Sequence, residues 1–357
     1  MRFTSIPVLA GAVFGAALAC TTSASADVIL PPPDCGLAGT NNCLQFSDFS
    51  VYSLSLLNFQ AGAGPIGPSD PYAVSTNGIS LQNALVVGTG VSGSGSINSD
   101  IVGGGLADDA YNTPSAAGGG LTNFVPNAGN QGAQGANIPG NTSGTWDISI
   151  SALNTYLNGG NLNFFFNLNQ TNSQTTTYLN SPEDALGWMQ VTLTDSTGVN
   201  GPVSFFLDGN NCNAIGGNCD PGQSVSQSID PNAAILPNAL DTWAYIHGQI
   251  CVSPAGGVVN FGACAKGDHV DTTVNQNLGA NDAAFGLYSA TLQTALDSGL
   301  YDVLSIDFRM AALTNGYEQL LIFASNRVPT DVPEPLTITV FGAGLAGVAL
   351  WRRRRKA

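Results

Sequence analysis

Side chains able to perform acid–base or nucleophilic chemistry are sparse in this sequence. His247 and His269 are the only histidines, beside 24 acidic residues. Either histidine could serve a Ser–His–Asp site, but the chain has no G-x-S-x-G, no H-E-x-x-H and no G-x-x-x-x-G-K-[ST] pattern. We therefore expect His247 to pack in a strand or face solvent, His269 to lie in a loop, and no residue to be catalytic.

Oxygen ligands for calcium occur together once. Asp208 and Asn210 open a short Asn/Gly-rich run that Asp220 follows. The run departs from the EF-hand pattern, because its sixth position is Asn213 instead of glycine and its twelfth is Cys219. Calcium is thus the one cofactor candidate, and the alternative is a disulfide-closed loop without metal or any other cofactor.

Aromatic side chains could bind a neutral glycan by stacking. Alternation places Trp146 with Ile148 toward the core, whereas Trp188, Trp243 and Tyr245 fall opposite the apolar faces of their strands. These three aromatics could be exposed and form a stacking platform. The favoured alternative is burial, because a second sheet or a covering loop can bury both faces of a strand.

The N-terminus has the features of a secretory signal peptide. Arg2 precedes an apolar stretch from residue 8 to 19, and Ala24-Ser25-Ala26 provides an A-x-A cleavage site. We expect residues 1–26 to be removed on export. Lipidation at Cys20 is the competing possibility, but Leu18 stands one place late for a lipobox.

Cysteine parity agrees with export. Removal of the signal leaves six cysteines: Cys35, Cys43, Cys212, Cys219, Cys251 and Cys264. An even number in an exported chain suggests disulfides, and the spacing favours three local pairs, each stabilising by about 2–3 kcal/mol. The pairs would be Cys35–Cys43, Cys212–Cys219 and Cys251–Cys264. A metal site is the alternative, but there is no C-x-x-C motif.

The C-terminus carries three segments in a fixed order. Pro333-Glu334-Pro335 comes first, then an apolar run from Leu336 to Trp351, then the basic cluster Arg352, Arg353, Arg354, Arg355 and Lys356. The run is shorter than the roughly 20 residues of an untilted membrane-spanning helix. Its small residues would permit close helix packing in lipid, and the basic cluster would stay on the cytoplasmic side.

This tail resembles the PEP-CTERM sorting signal of Gram-negative bacteria, over about residues 332–356. The resemblance implies that a membrane-embedded exosortase recognises and processes the tail, with Pro333, Glu334 and Pro335 as the motif. The protein would then be anchored transiently in the inner membrane before it reaches the cell surface or extracellular matrix. An ordinary single-span anchor that is never processed is the alternative.

Charge is distributed unevenly along the chain. Of nine basic residues, only Lys266, Arg309 and Arg327 lie outside the two ends, against 24 acidic residues. Three cations and 24 acids give a processed body a net charge of about −21. Such a surface repels nucleic acid, anionic lipid and acidic polysaccharide. We expect no nucleic-acid partner.

Period-two patterns predict strands through the second half of the body. Leu162, Phe164, Phe166 and Leu168 share one face of a predicted strand. The same alternation recurs at residues 189–193, 203–207 and 244–252. Short helices are expected at Ser151–Leu157 and Ala290–Leu296, each followed by glycine.

The clearest local signal predicts a hairpin. Asn315-Gly316 is a preferred type I′ turn between the predicted strands Asp302–Ala311 and Tyr317–Ser325. A two-residue loop would pair Met310 with Leu321 and Phe308 with Phe323. Asp307 and Arg309, on one strand face, are expected to form a surface pair.

These patterns favour an all-β protein, a β-sandwich of jelly-roll type with a C-terminal hydrophobic helix. The predicted organisation is a signal peptide (1–26), a Gly/Ser/Asn-rich part of strands and long loops (27–144), the sandwich core (145–330) and the sorting tail (331–357). The order of residues 61–140 stays open.

Three functional hypotheses remain. The first is a non-enzymatic, exported surface or matrix protein that associates with exopolysaccharide or biofilm, with the exosortase and the secretion machinery as partners during export. The second is a carbohydrate-binding module that uses Trp188, Trp243 and Tyr245. The third is an exported hydrolase with an unrecognised site.

Overall fold

The computed structural model describes most of the body of the protein. The described residues are 28–33, 35, 42–62, 70–76, 83–90, 97–113, 122–127, 129–132, 138, 144–170, 183–209, 224–225, 243–261, 263–267, 270–314 and 318–324. Ser25–Val332 form one compact unit. The predicted signal peptide and sorting tail lie outside the described residues. Within the described ranges, no helix is long and apolar enough to cross a membrane.

Most of the described secondary structure is strand. In chain order the strands are β1 (Leu44–Phe46), β2 (Phe49–Ser53), β3 (Leu85–Thr89), β4 (Tyr111–Asn112), β5 (Thr122–Phe124), β6 (Trp146–Ser149), β7 (Leu162–Phe166), β8 (Ala185–Thr194), β9 (Val203–Leu207), β10 (Ser224–Val225), β11 (Trp243–Ile246), β12 (Gln249–Val252), β13 (Val258–Phe261), β14 (Thr272–Asn275), β15 (Phe285–Tyr288), β16 (Val303–Leu313) and β17 (Leu320–Ala324). The helices are α1 (Leu54–Gln60), α2 (Ser99–Val102), α3 (Ile150–Leu157) and α4 (Ala290–Asp297).

The strands form three sheets. Sheet 1 has the order β1-β2-β15-β7-β17-β3-β4, and sheet 3 has the order β13-β12-β14. Sheet 2 has the order β10-β11-β8-β16-β5, with β9 also on β8 and β6 also on β16. The long strands β8 and β16 run antiparallel at its centre, from Val303 opposite Thr194 to Ala311 opposite Leu186. The predicted all-β class is confirmed.

One apolar core lies between sheets 1 and 2. Sheet 1 contributes Phe164 and Phe166 to it, and sheet 2 contributes Met189, Val191 and Phe308, all buried. Burial of each such side chain stabilises the fold by about 1.5–3 kcal/mol. The predicted strands 162–169, 189–193 and 203–207 therefore have the expected inner faces, as does Trp146.

Part of the outer face of each large sheet is also buried. Phe165 and Phe323, on the outer face of sheet 1, lie in a second cluster with Tyr52. Trp188 and Trp243, on the outer face of sheet 2, lie in a third. At these positions period-two alternation thus separates two buried faces. Further along β8, where Gln190 and Thr192 are half-buried, it separates a buried face from a partly exposed one.

Serine caps start three of the helices. Ser149 accepts a hydrogen bond from the amide of Ala152 at the start of α3 (3.3 Å), and Ser289 accepts one from Leu292 at the start of α4 (3.2 Å). Ser53 does the same for α1. Helix α3 ends where Asn158 and Gly159 take positive φ angles, as expected of a left-handed C-terminus. The two predicted helices are confirmed.

Two of the three expected disulfides are present. Cys35 bonds to Cys43 beside β1, and Cys251 in β12 bonds to Cys264 beyond β13. Both close short loops, of sequence separation 8 and 13, and thereby lower the entropy of the unfolded chain. Cys212 and Cys219 lie outside the described residues.

The predicted hairpin is wrong, because β16 and β17 belong to different sheets. Met310 faces Gly187 of β8 and Phe124 of β5, whereas Leu321 faces Phe165 of β7. Both edges of each strand are occupied by strands distant in sequence. The preference of Asn-Gly for a tight turn is a local term of about 1 kcal/mol, and long-range pairing with burial outweighs it.

Buried polar side chains hold the connection where the chain leaves sheet 2 for sheet 1. Gln170, just after β7, accepts hydrogen bonds at Oε1 from the Thr314 amide (2.5 Å) and hydroxyl (2.6 Å). Its Nε2 donates to Glu318 Oε1 at 2.8 Å. One amide therefore fixes both ends of segment 314–318. The strand bends just before this clamp, where Ala312 has a φ of 61°.

Strands from residues 27–144 pair with strands from residues 145–330. β2 pairs with β15 and β3 with β17 in sheet 1, and β5 pairs with β16 in sheet 2. The sandwich is therefore not confined to residues 145–330. The strands of the first part have two to five residues each, which is too short to give a clear alternation.

Replacement of Gln170 by alanine tests the clamp. Gln170→Ala leaves the Thr314 amide and the Glu318 carboxyl without this partner in a buried site, so we expect a loss of about 3 kcal/mol in the free energy of unfolding. Guanidinium unfolding of the oxidised full-length chain measures it. Gln190→Ala is the matched control, because Gln190 donates only to the hydroxyls of Thr192 and Ser204. Equal losses in the two variants would contradict the clamp.

Burial also changes the acidity of the clamp. Glu318 is fully buried, and this loss of solvation raises the pKa of its carboxyl from 4.5 to about 8. Its Oε2 has no hydrogen-bond partner within the described part of the chain. Between pH 4.5 and 8 the folded state thus keeps a proton that the unfolded state has lost. The stabilising effect of this proton is complete below pH 4.5 and decreases as pH rises toward 8.

Glu318→Gln should remove this pH dependence. The amide is neutral at every pH. We therefore expect the variant and the wild type to have similar free energies of unfolding at pH 4.5. Above that pH the variant should become increasingly more stable than the wild type, up to pH 8. The difference should grow by about 1.4 kcal/mol per pH unit. Urea unfolding across this range measures it. If the free energies of unfolding of the two proteins changed equally with pH, the raised pKa of Glu318 would be refuted.

Candidate binding cavity

A cavity of about 240 Å³ opens within the sandwich. Its inner walls come from both large sheets, with Phe166 and Leu320 on sheet 1 and Met189, Leu207 and Phe308 on sheet 2. Val258 and Val259 of β13 complete the lining. Because Val259 is 57% exposed, the cavity reaches the surface beside this strand.

The small side chain of Ala244 leaves space unfilled, whereas Ile246 fills the space beside Gly187, with its Cδ1 3.0 Å from where a Cβ would lie. Gly187 of β8 and Ala244 of β11 are direct partners in sheet 2, and both line the cavity. The large neighbours of Gly187 on the same face, Met189 and Val191, fill the core further along the strand. At about 24 cal/mol per Å³, an empty void of this size would cost at most roughly 6 kcal/mol.

Polar side chains gather at one end of the cavity. Asn42, just before β1, and Ser53, the last residue of β2, both line the cavity. Ser53 begins α1, which packs against β14, and Gln276 follows β14 directly. Gln276 donates to the carbonyl of His247 at 2.9 Å. The cavity is therefore amphipathic, with apolar walls and a neutral polar end.

A buried carboxylate organises the wall behind this polar end. Asp184 is 1% exposed and accepts hydrogen bonds from the Tyr245 hydroxyl and the Gly248 amide, each at 2.8 Å. His247 Nδ1 lies 3.9 Å from Asp184 Oδ2, and the His247 ring lies 4.4 Å from that of Tyr245. A side chain at Gly248 would come within 2.6 Å of the Glu183 carbonyl, so only glycine fits there.

The chemistry of this site favours binding. His247 is buried, in agreement with the expectation that it packs. Ser53, which lines the cavity, carries a hydroxyl of the type that can act as a nucleophile. This hydroxyl caps a helix instead, because it accepts a hydrogen bond from the Leu56 amide (3.1 Å). No Lys or Arg occurs among the described residues that line the cavity. The interior therefore suits a neutral, mainly apolar molecule.

The three aromatics of the glycan hypothesis are buried. Trp188 and Trp243 are 0% exposed and Tyr245 is 4% exposed, so exposure of these side chains is wrong and the favoured alternative, burial, is confirmed. Trp188 packs on Phe206, and the Arg309 guanidinium lies 5.6 Å from its ring. Because the three rings are buried, they offer no surface on which a sugar could stack.

Other predicted residues have the following positions. Asp307 and Arg309 form the expected ion pair at 2.7 Å. Asp208 is buried and accepts a hydrogen bond from the Ser47 hydroxyl at 2.6 Å. The other calcium candidates, Asn210 and Asp220, lie outside the described residues, and the described part contains no cluster of three metal-ligating side chains. His269, Pro333–Pro335 and the basic cluster 352–356 also lie outside it.

Sequence reasoning missed the cavity. The available signal was Gly187, a glycine inside an otherwise apolar strand, which indicates a close approach by a neighbouring group, and Ile246 makes that approach. The sheet partner of Gly187, Ala244, is recognisable only from the register of β8 and β11, and the sequence does not contain that register.

Comparison with known proteins finds a match to one family model. The family model described as "Domain of unknown function (DUF8239)" matches residues 28–309. No curated protein and no solved structure matches the chain.

Ala244→Leu tests whether the volume beside Ala244 is empty. Three added carbons would enter the void, so we expect unchanged stability or a gain of about 1 kcal/mol. Ala311→Leu is the matched control, because Ala311 is fully buried with the tryptophans on the opposite face. Overpacking there should cost about 1–3 kcal/mol. Thermal and urea unfolding measure both, and equal destabilisation would contradict the cavity.

Proposed function

We propose, on the premise that the chain belongs to the DUF8239 family, that it is an exported, tail-sorted surface or extracellular-matrix protein without catalytic activity. The family match covers residues 28–309, which is most of the body between the predicted signal peptide and the predicted sorting tail. In this proposal the signal peptide directs export, and the tail directs sorting by an exosortase after a transient stay in the inner membrane.

The observation that carries the proposal is the order of segments at the C-terminus. A Pro-Glu-Pro motif, an apolar run and five basic residues succeed one another within residues 333–356. The pairs Cys35–Cys43 and Cys251–Cys264 support export, because disulfides persist in oxidising compartments. The strongly acidic body supports residence beside neutral exopolysaccharide instead of nucleic acid or anionic lipid.

Two finer features belong to this proposal. The sandwich is of jelly-roll type, and residues 336–351 form a single hydrophobic helix. Connections that cross between the sheets, such as β7 to β8 and β16 to β17, support the first feature. The apolar composition between Leu336 and Trp351 supports the second.

Glycan binding through Trp188, Trp243 and Tyr245 is not part of the proposal, because their burial removes the platform. An exported hydrolase is the second candidate, and the proximity of His247 to Asp184 in the cavity wall (3.9 Å) favours it. A screen of chromogenic esters and glycosides with wild type and His247→Ala tests it. Turnover that His247→Ala abolishes would replace the non-enzymatic proposal.

Substitution of the sorting motif tests the localisation. Full-length chain is expressed in a Gram-negative host with an exosortase, either unchanged or with Pro333→Ala, Glu334→Ala and Pro335→Ala together. We expect wild type in the released fraction without Arg352–Lys356, and the triple variant in the membrane fraction with its tail intact. Fractionation and intact-mass spectrometry measure both.

The matched control replaces Thr337 and Thr339, inside the apolar run, by alanine and should behave as wild type. Released protein that still carries Arg352–Lys356 would contradict processing. Release of the triple variant at the wild-type level would contradict recognition of the motif.

A further inference from the structure

The cavity between the sheets has the attributes of a small-molecule site. Its inner walls are apolar and include Phe166, Met189, Leu207 and Phe308. A large side chain at Ala244 would reduce the space, yet this lining position is small. The opening lies beside Val259, which is 57% exposed, so a ligand has a route from solvent.

Volume sets the size of the occupant. Dry apolar cavities of about 150 Å³ accept benzene, which corresponds to about 25 Å³ for each carbon. On that scale the 240 Å³ cavity takes about ten carbon atoms. This is the size of a short lipid-like or bicyclic aromatic molecule, and it is too small for a long-chain lipid.

Charge sets the class of the occupant. Lys266 and Arg309, the cations of the body that the structure describes, are not among the described residues that line the cavity. The buried carboxylate of Asp184 lies directly behind the wall at Tyr245. A fatty-acid anion would therefore lose its hydration without gaining a counter-ion, which is strongly unfavourable.

The polar end accepts a neutral group. Asn42, Ser53 and Gln276 offer amide and hydroxyl groups at the end of the cavity near α1 and β14. Such groups donate or accept hydrogen bonds without requiring charge. We propose that this cavity binds a neutral, mainly apolar molecule of about ten carbons with one hydrogen-bonding end, of the class of a medium-chain alcohol. This inference is independent of the route by which the protein is exported.

Methionine signals provide a readout confined to the cavity. The chain has three methionines, Met1, Met189 and Met310. Met189 lines the cavity, whereas Met310 is buried in the same core without lining it. In full-length chain labelled with ¹³C-methyl methionine, binding inside the cavity shifts Met189, and adsorption to the apolar tail does not.

The test titrates primary alcohols of four to fourteen carbons, and decanoate as the anionic match of decan-1-ol. We expect saturable Met189 shifts that are tightest near decan-1-ol, with decanoate at least about tenfold weaker because its charge finds no partner. In Ala244→Leu three carbons of protein occupy the space, so the optimum should move to about seven carbons. Phe206→Leu, on the opposite face, should keep the ten-carbon optimum.

Several results would overturn the proposal. These are a Met189 signal that no alcohol moves, an optimum that Ala244→Leu leaves unchanged, and decanoate binding as tight as that of decan-1-ol. Val51→Phe, which also narrows the lining, replaces Ala244→Leu if that variant does not fold, and the same shift to shorter alcohols is required of it.

Discussion

The connection between the last two strands is the constraint on which the architecture depends. β16 and β17 are neighbours in sequence, yet they occupy central positions in opposite sheets. The Gln170 amide holds the crossing, because it bonds Thr314 at the end of one strand and Glu318 before the other. This amide follows β7, the central partner of β17. This buried polar clamp ties the two sheets together at this end, beside the Asn167–Gln319 hydrogen bond.

Asparagine and glutamine side chains form several of the buried hydrogen bonds in this protein. Asn98 bonds the backbone of β3, Asn167 bonds Gln319 at 3.1 Å, and Gln170 clamps the crossing. Asp307 and Arg309 form an ion pair at the half-buried outer face of sheet 2. Interior hydrogen bonds from neutral amides avoid the cost of burying charge.

The cavity follows from the way three sheets meet. Large side chains fill the core where β8 and β16 face β7 and β17. At the end of β8 the partners are Gly187 and Ala244, and the small sheet 3 with α1 closes the side of the sandwich. Core side chains form the apolar walls of the cavity there, and residues next to the strands form its neutral polar end. Binding of a neutral apolar molecule is the function that such a wall composition favours.

The sequence by itself determined the elements whose signals are local. It determined the inner faces of β7, β8 and β9, the helices α3 and α4, and the Cys35–Cys43 and Cys251–Cys264 pairs, because periodicity, capping and short loop closure act within a few residues. Only the tertiary structure decided the partners of β16 and β17, the burial of Trp188 and Trp243, and the meeting of Gly187 with Ala244. Each of these depends on strands distant in sequence, whose pairing and burial outweigh a local preference such as that of Asn315-Gly316 for a hairpin turn.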